Sequence, residues 1–148
     1  MKKIIFVCAL LCFCFNTQAK EISVNDMKLA LGTRGYEFKY ISETKAYLGE
    51  KQDSASVQIF PYDDNVVNVR NIIYSINANQ DPNRMQEELL TAAATLSLMA
   101  DNQEKVTQFL VNSLQHIDSQ KKQETVIGGK TFSFYLLGSF IMIIAGEQ

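Results

Sequence analysis

A single histidine, His116, and three cysteines, Cys8, Cys12 and Cys14, set narrow limits on the chemistry of this chain. A serine–histidine–acid arrangement would need His116 as its base, because that role requires an imidazole near neutral pH. His116 instead falls near the C-terminal end of a helical pattern, where an imidazole interacts well with the helix dipole. The spacing therefore predicts a capping or surface role. One histidine cannot assemble the usual zinc site of histidines and cysteines.

Carboxylates are the plentiful reactive groups. Asp63 and Asp64 are adjacent, as are Glu87 and Glu88. Glycoside hydrolysis needs two acids facing each other across a cleft. Neighbours in a turn, or on the solvent face of a helix, do not offer that geometry. Asp63-Asp64-Asn65 lacks the spaced oxygen ligands of a calcium loop, so it reads as a plain turn. Gly128-Gly129-Lys130-Thr131 has the residue types of a phosphate loop, but strands flank it on both sides where such a loop needs a following helix. It reads as a hairpin turn. No residue is assigned as catalytic, cofactor-binding or metal-binding, and no cofactor is expected.

Tyr36, Tyr40, Tyr47, Tyr62, Tyr74 and Tyr135 all lie in or next to strand patterns. Tyrosine suits both strand packing and binding surfaces, and core packing is the expectation here.

The cysteines share one segment. Lys2 and Lys3 precede the unbroken apolar run from Ile4 to Phe15, and Thr17-Gln18-Ala19 places small residues at the two positions a signal peptidase reads. Residues 1–19 thus read as a cleaved secretory signal peptide, and the chain as periplasmic or secreted. A lipoprotein reading is weaker, because Val7, Leu11 and Phe13, none of them small, precede the cysteines. Removing 19 of the 148 residues leaves 129, takes two of the 14 basic residues and none of the 16 acidic ones, and shifts the net charge from -2 to -4. All cysteines leave with the segment, so the mature domain is expected to be disulfide-free.

At 47% hydrophobic and 20% charged, the composition is that of a globular protein, and the length suits one domain over residues 20–148. A mildly acidic chain lacks the basic face that nucleic-acid binding needs.

The elements follow from periodicity. Ser23 or Asn25 caps a helix from Val24 to Thr33, with Met27, Ala30 and Leu31 on its apolar face. Alternation from Tyr36 to Tyr40, then runs at Lys45–Leu48, Ser56–Phe60 and Val66–Ile76, predict a meander, with Pro61 at a strand end or edge. Asp81-Pro82 opens a helix whose seam is Met85, Leu89, Ala92, Leu96 and Met99, widened by Leu90 and Ala93. Asp101 and Glu104 form a capping-box pattern for a second helix, Asn102 to about Asp118. A single helix over 82–118 is the alternative, but it would be roughly 55 Å long against a radius of gyration of about 14 Å for the domain.

Three further strands are expected: Glu124–Ile127, Lys130–Leu137 and Phe140–Ala145, joined by Gly128-Gly129 and Gly138-Ser139. The last is apolar on both faces, which implies a central strand covered on both sides or a surface that meets a partner. Phe132–Gly146 is too short for a spanning helix, so no stable membrane span is expected.

The fold class is α+β: an antiparallel sheet of six or seven strands with helices packed on one face. The functional expectation is a non-enzymatic exported protein that binds another protein, as an inhibitor, an immunity-type protein or an envelope accessory factor. The C-terminal strands are a candidate surface for self-association. A carrier of a small apolar or lipid ligand between sheet and helices is the alternative, and a carboxylate-based hydrolase the second.

Overall fold

The computed structural model describes residues 21–62, 68–117 and 121–147. The proposed signal segment and the Asp63-Asp64-Asn65 turn lie outside the described residues. The first helix, α1 (Val24–Gly32), begins where the Ser23 side chain accepts from the Asp26 amide at 3.0 Å, so Ser23 rather than Asn25 is the cap. Met27 and Leu31 of its inner face are fully buried.

Four strands follow: β1 (Glu37–Ile41), β2 (Ala46–Lys51), β3 (Ala55–Pro61) and β4 (Val69–Asn77). β2 runs three residues past the expected Leu48. The alternation of β3 is broken between Phe60 and Pro61 by a register shift, which places the proline at the strand end.

Asp81 caps α2 (Pro82–Ala100), accepting from the Asn83 and Arg84 amides at 2.9 and 3.4 Å. The helix ends at Asp101, which takes the left-handed conformation at φ +50°. That conformation excludes Asp101 from the capping role expected of it. The cap of α3 (Gln103–Gln115) is Asn102, whose side chain accepts from the Lys105 amide at 3.0 Å. The chain thus forms the two helices expected rather than the alternative single rod, and α3 stops short of the expected Asp118.

The chain closes with β5 (Gln123–Ile127), β6 (Lys130–Leu137) and β7 (Phe140–Gly146). All seven strands form one antiparallel sheet in the order β1-β2-β3-β4-β7-β6-β5. β7 inserts between β4 and β6, so the most apolar strand is an interior one.

The layers separate cleanly by alternation. Val57, Ile59, Ile72, Tyr74, Ile76, Ile141, Ile143, Phe132 and Phe134 point to the helices and join Leu96, Met99, Val106 and Leu110 in one core. The Tyr74 hydroxyl bonds the Thr95 hydroxyl there, and Phe109 packs edge-on against Phe132 at 6.4 Å between ring centres. Leu90 does not widen the buried stripe of α2. It is exposed, and the stripe turns instead through Thr91, Ala92 and Thr95.

Gly128 and Gly129 both have positive φ, as a primed two-residue turn requires. A Cβ at Gly128 would lie 2.4 Å from the Ala100 carbonyl oxygen, so this turn docks against the end of α2.

Candidate functional site

The structure redistributes the candidate residues. His116 caps α3 at the surface, where its Nδ1 donates to the Asn112 carbonyl at 2.9 Å. Gly128-Gly129-Lys130-Thr131 is the hairpin turn and start of β6. The adjacent pair Glu87 and Glu88 does not share the solvent face. Glu87 is exposed, whereas Glu88 is 1% exposed and points into the fold.

Glu88 is reached from three separate parts of the chain. Tyr36, between α1 and β1, donates to its Oε2 at 2.6 Å. Lys51 at the end of β2 brings its Nζ to 2.6 Å from Oε1. Ser54, in the β2–β3 turn, has its Oγ 3.1 Å from the same oxygen and 2.7 Å from Gln80 Oε1. Gln80 returns a bond from Nε2 to the Ser54 carbonyl at 3.2 Å. A buried carboxylate persists only when donors replace its water, and here they do. Burial, and then the bond to Glu88, push the Tyr36 hydroxyl far above the ordinary tyrosine range. Ser54 is itself only 2% exposed. The cluster is built to fasten α2 to the β2–β3 hairpin and to the start of β1.

The spacing of α2 carried a signal for Glu88. It lies three residues after Met85 and four before Ala92, within the buried stripe, but its charge argued for solvent. Its partners are distant in sequence and had no local mark.

A second polar cluster joins the two ends of the sheet's last hairpin. Lys130 is 4% exposed, with its Nζ 3.3 Å from the Tyr62 hydroxyl and 3.2 Å from Glu147 Oε1. Tyr62 also donates to Glu147. Burial pushes the Lys130 ammonium down, but the bonds to Tyr62 and Glu147 outweigh it and leave its pKa raised.

The sheet face turned away from the helices is different in character. Alternation places Phe60 of β3, Ile73 of β4, Met142 and Ile144 of β7, and Tyr135 and Leu137 of β6 on it. The registers make this one patch: Ile73 pairs Ile144, Met142 pairs Tyr135, and Phe140 pairs Leu137. Leu137 is 59% exposed and Phe140 46%, whereas Ile141 and Ile143 on the other face are buried. β7 is thus the interior strand its composition implied, covered by helices on one face only. Of the charged side chains on this face, Glu37, Lys39 and Glu50 lie on β1 and β2, away from the patch, while Glu124 lies on β5 at its other side, next to Ser133. At the border, a cleft of about 500 Å³ is lined by Glu50, Gln52, Ser56, Ser75, Asn77 and Phe140.

Among the described residues, no group of three or more histidines, aspartates and glutamates is placed to hold a metal ion. No described helix is long and apolar enough to cross a membrane. No family model matches the chain, and comparison with curated proteins and with solved structures likewise gives no match.

Proposed function

We propose that this chain is an exported, non-enzymatic protein that acts by binding another protein molecule through the helix-free face of its sheet. Inhibitors, immunity-type proteins and envelope accessory factors work in this way. The observation that carries the reading is the joined patch of Ile73, Met142, Ile144, Tyr135, Leu137 and Phe140, apolar side chains on interior strands with no helix over them. An antiparallel sheet with one wet face ordinarily alternates apolar with polar residues. Here β7 turns Phe140, Met142 and Ile144 to the wet face, joined by Ile73, Tyr135 and Leu137 of its neighbours, as binding surfaces do. Export rests on the pattern of residues 1–19.

The carrier alternative needs space between the sheet and α2. Tyr74, Thr95, Leu96 and Met99 meet there at 1% exposure or less, so the packing lends it no support. For a hydrolase, the buried acid at hand is Glu88, and Tyr36, Lys51 and Ser54 already occupy it.

The test is a paired capture from envelope extract or culture fluid, with the unmodified protein and an Ile73→Lys/Ile144→Lys variant as baits. A protein retained by the first and lost by the second, with unchanged circular dichroism, supports the reading. Equal capture by both contradicts it.

A further inference from the structure

We infer that the cleft beside the patch receives a cationic side chain, an arginine guanidinium, from the protein bound to this face. The inference rests on the binding reading above and states the chemistry of its partner.

The cleft follows from side-chain size along one row of the sheet. Glu50, Ser56, Ser75 and Met142 are successive cross-strand partners on β2, β3, β4 and β7, and all point away from the helices. The two serines are the shortest side chains of that row, so the face is hollowed between Glu50 and β7. One row nearer the turns, Asn77 and Phe140 pair and bound the hollow on one side. Gln52 and Asp53 of the β2–β3 turn bound it on the other. β2 and β7 lie three strand spacings apart, about 14 Å. Once the Glu50 side chain and the Phe140 ring take their share, the width of one extended side chain remains.

The charge of the cleft is one-sided. Glu50 and Asp53 bring carboxylates to it. Lys51, the basic residue of the lining, turns to the helices and holds its Nζ 2.6 Å from Glu88 Oε1. Lys39 pairs with Glu50 through Oε2 at 2.8 Å, but both side chains are more than half exposed, and a carboxylate accepts from further donors. Among the described residues no three acids gather to hold a metal ion, so the cation that fits is organic. A guanidinium uses both walls, because its plane stacks on an aromatic ring while its fork of N–H groups donates to a carboxylate. Phe140 supplies the exposed ring.

The acidic end of the cleft is fixed before a partner arrives. Asn77 donates from its backbone amide to the Ser54 carbonyl at 2.9 Å and from Nδ2 to the Asp53 carbonyl at 3.5 Å. Arg84 of α2 donates to the Gln52 carbonyl at 3.2 Å, and Lys51 and Ser54 belong to the Glu88 cluster. That cluster thus steadies the turn that carries Asp53, and a site fixed beforehand loses less freedom on binding. Leu137 and Met142 continue the surface beyond Phe140, so the matching surface is an arginine flanked by apolar side chains.

The experiment titrates the exported protein with a blocked leucine–arginine–leucine tripeptide and its lysine and citrulline counterparts, following backbone amide resonances. Citrulline keeps the shape of arginine without the charge. The expected result is saturable shifts at Ser56, Ser75, Asn77 and Phe140 with the arginine peptide, weaker binding of the lysine peptide, and at least about tenfold weaker binding of the citrulline peptide. Glu50→Gln/Asp53→Asn, which alters two exposed side chains, should cost the arginine peptide a similar factor with unchanged circular dichroism. Equal binding of the citrulline peptide would overturn the cation, and equal binding of the lysine peptide the guanidinium. Absence of these shifts would overturn the site, as would shifts there from a neutral trisaccharide and none from the arginine peptide. Capture separates this from the binding reading. A protein retained by a Glu50→Gln/Asp53→Asn bait but lost by Ile73→Lys/Ile144→Lys would remove the arginine and keep the reading, and equal capture by every bait would remove both.

Discussion

Tyr36 donates its phenolic hydrogen to Glu88 at 2.6 Å, across 52 residues of sequence. With Lys51 and Ser54 on the other carboxylate oxygen, this bond ties α2 to the first half of the sheet. Removing the carboxylate leaves the buried Tyr36 hydroxyl without its acceptor and the partly exposed Lys51 ammonium without its counterion, while Ser54 keeps Gln80. Glu88→Ala should therefore cost about 3–5 kcal/mol, the range for breaking a buried pair from one side. Glu88→Gln keeps an acceptor and should cost less, and Tyr36→Phe about 1–3 kcal/mol. Urea unfolding followed by circular dichroism checks the order. A Glu88→Ala protein as stable as the parent would show that the cluster is not a brace.

Alkali should unfold the protein through its buried tyrosines. Burial raises Tyr36 and Tyr74 well above the ordinary range, aided at Tyr36 by the bond to Glu88 and opposed at Tyr74 by Thr95. Above about pH 10 the unfolded chain sheds protons that the native fold retains, so stability falls as pH rises. The slope should reach about 1.4 kcal/mol per pH unit for each tyrosine. Ionisation of these two, read by ultraviolet absorbance, should coincide with loss of the fold. Ionisation ahead of unfolding would contradict their burial.

Gly128 and Gly138 have the same φ of +58° but different surroundings. An added Cβ at Gly138 meets nothing within 4 Å, while at Gly128 it meets the Ala100 carbonyl at 2.4 Å. Gly138→Ala should cost only the left-handed strain, about 1–2 kcal/mol. Gly128→Ala should add an overpacking cost of about 1–3 kcal/mol. Equal midpoints in thermal melts would argue against the docking of this turn on α2.

On the proposed cleavage after Ala19, the mature protein should carry neither thiol nor disulfide. Its intact mass should equal the chain from Lys20 to Gln148, a thiol assay should read zero, and reductant should leave the melting temperature unchanged. A lipid adduct on Cys12 would overturn the cleavage site and restore the lipoprotein reading.

What could be read in the sequence was what neighbouring residues decide. Asp81-Pro82 marks the start of α2, Gly128-Gly129 and Gly138-Ser139 mark two-residue turns, alternation marks β6, and an unbroken apolar run marks β7. Strand order was not legible, because the pairing of Ile73 with Ile144 joins segments separated by two helices. The same distance hid Glu88, whose partners come from three other elements. Asp101 shows a narrower failure: its capping-box pattern with Glu104 set the cap one residue early, because the left-handed turn at the end of α2 takes Asp101 and leaves the cap to Asn102. The double-sided apolarity of β7 did point to its place, though only the topology shows which of its faces stays open.

The helix-free face is the centre of the account, and adjacent isoleucines offer its most direct test. Ile72 and Ile143 point to the helices and are buried, whereas Ile73 and Ile144 point the other way and are partly exposed. The measurement is broadening of isoleucine methyl resonances by a soluble paramagnetic probe, in dilute protein and again with the binding partner or at high concentration. The account predicts that Ile73 and Ile144 are broadened in the dilute protein and become protected on binding, while Ile72 and Ile143 stay protected throughout. Protection that arises on α2 or α3 instead, with Ile73 and Ile144 unchanged, would contradict it.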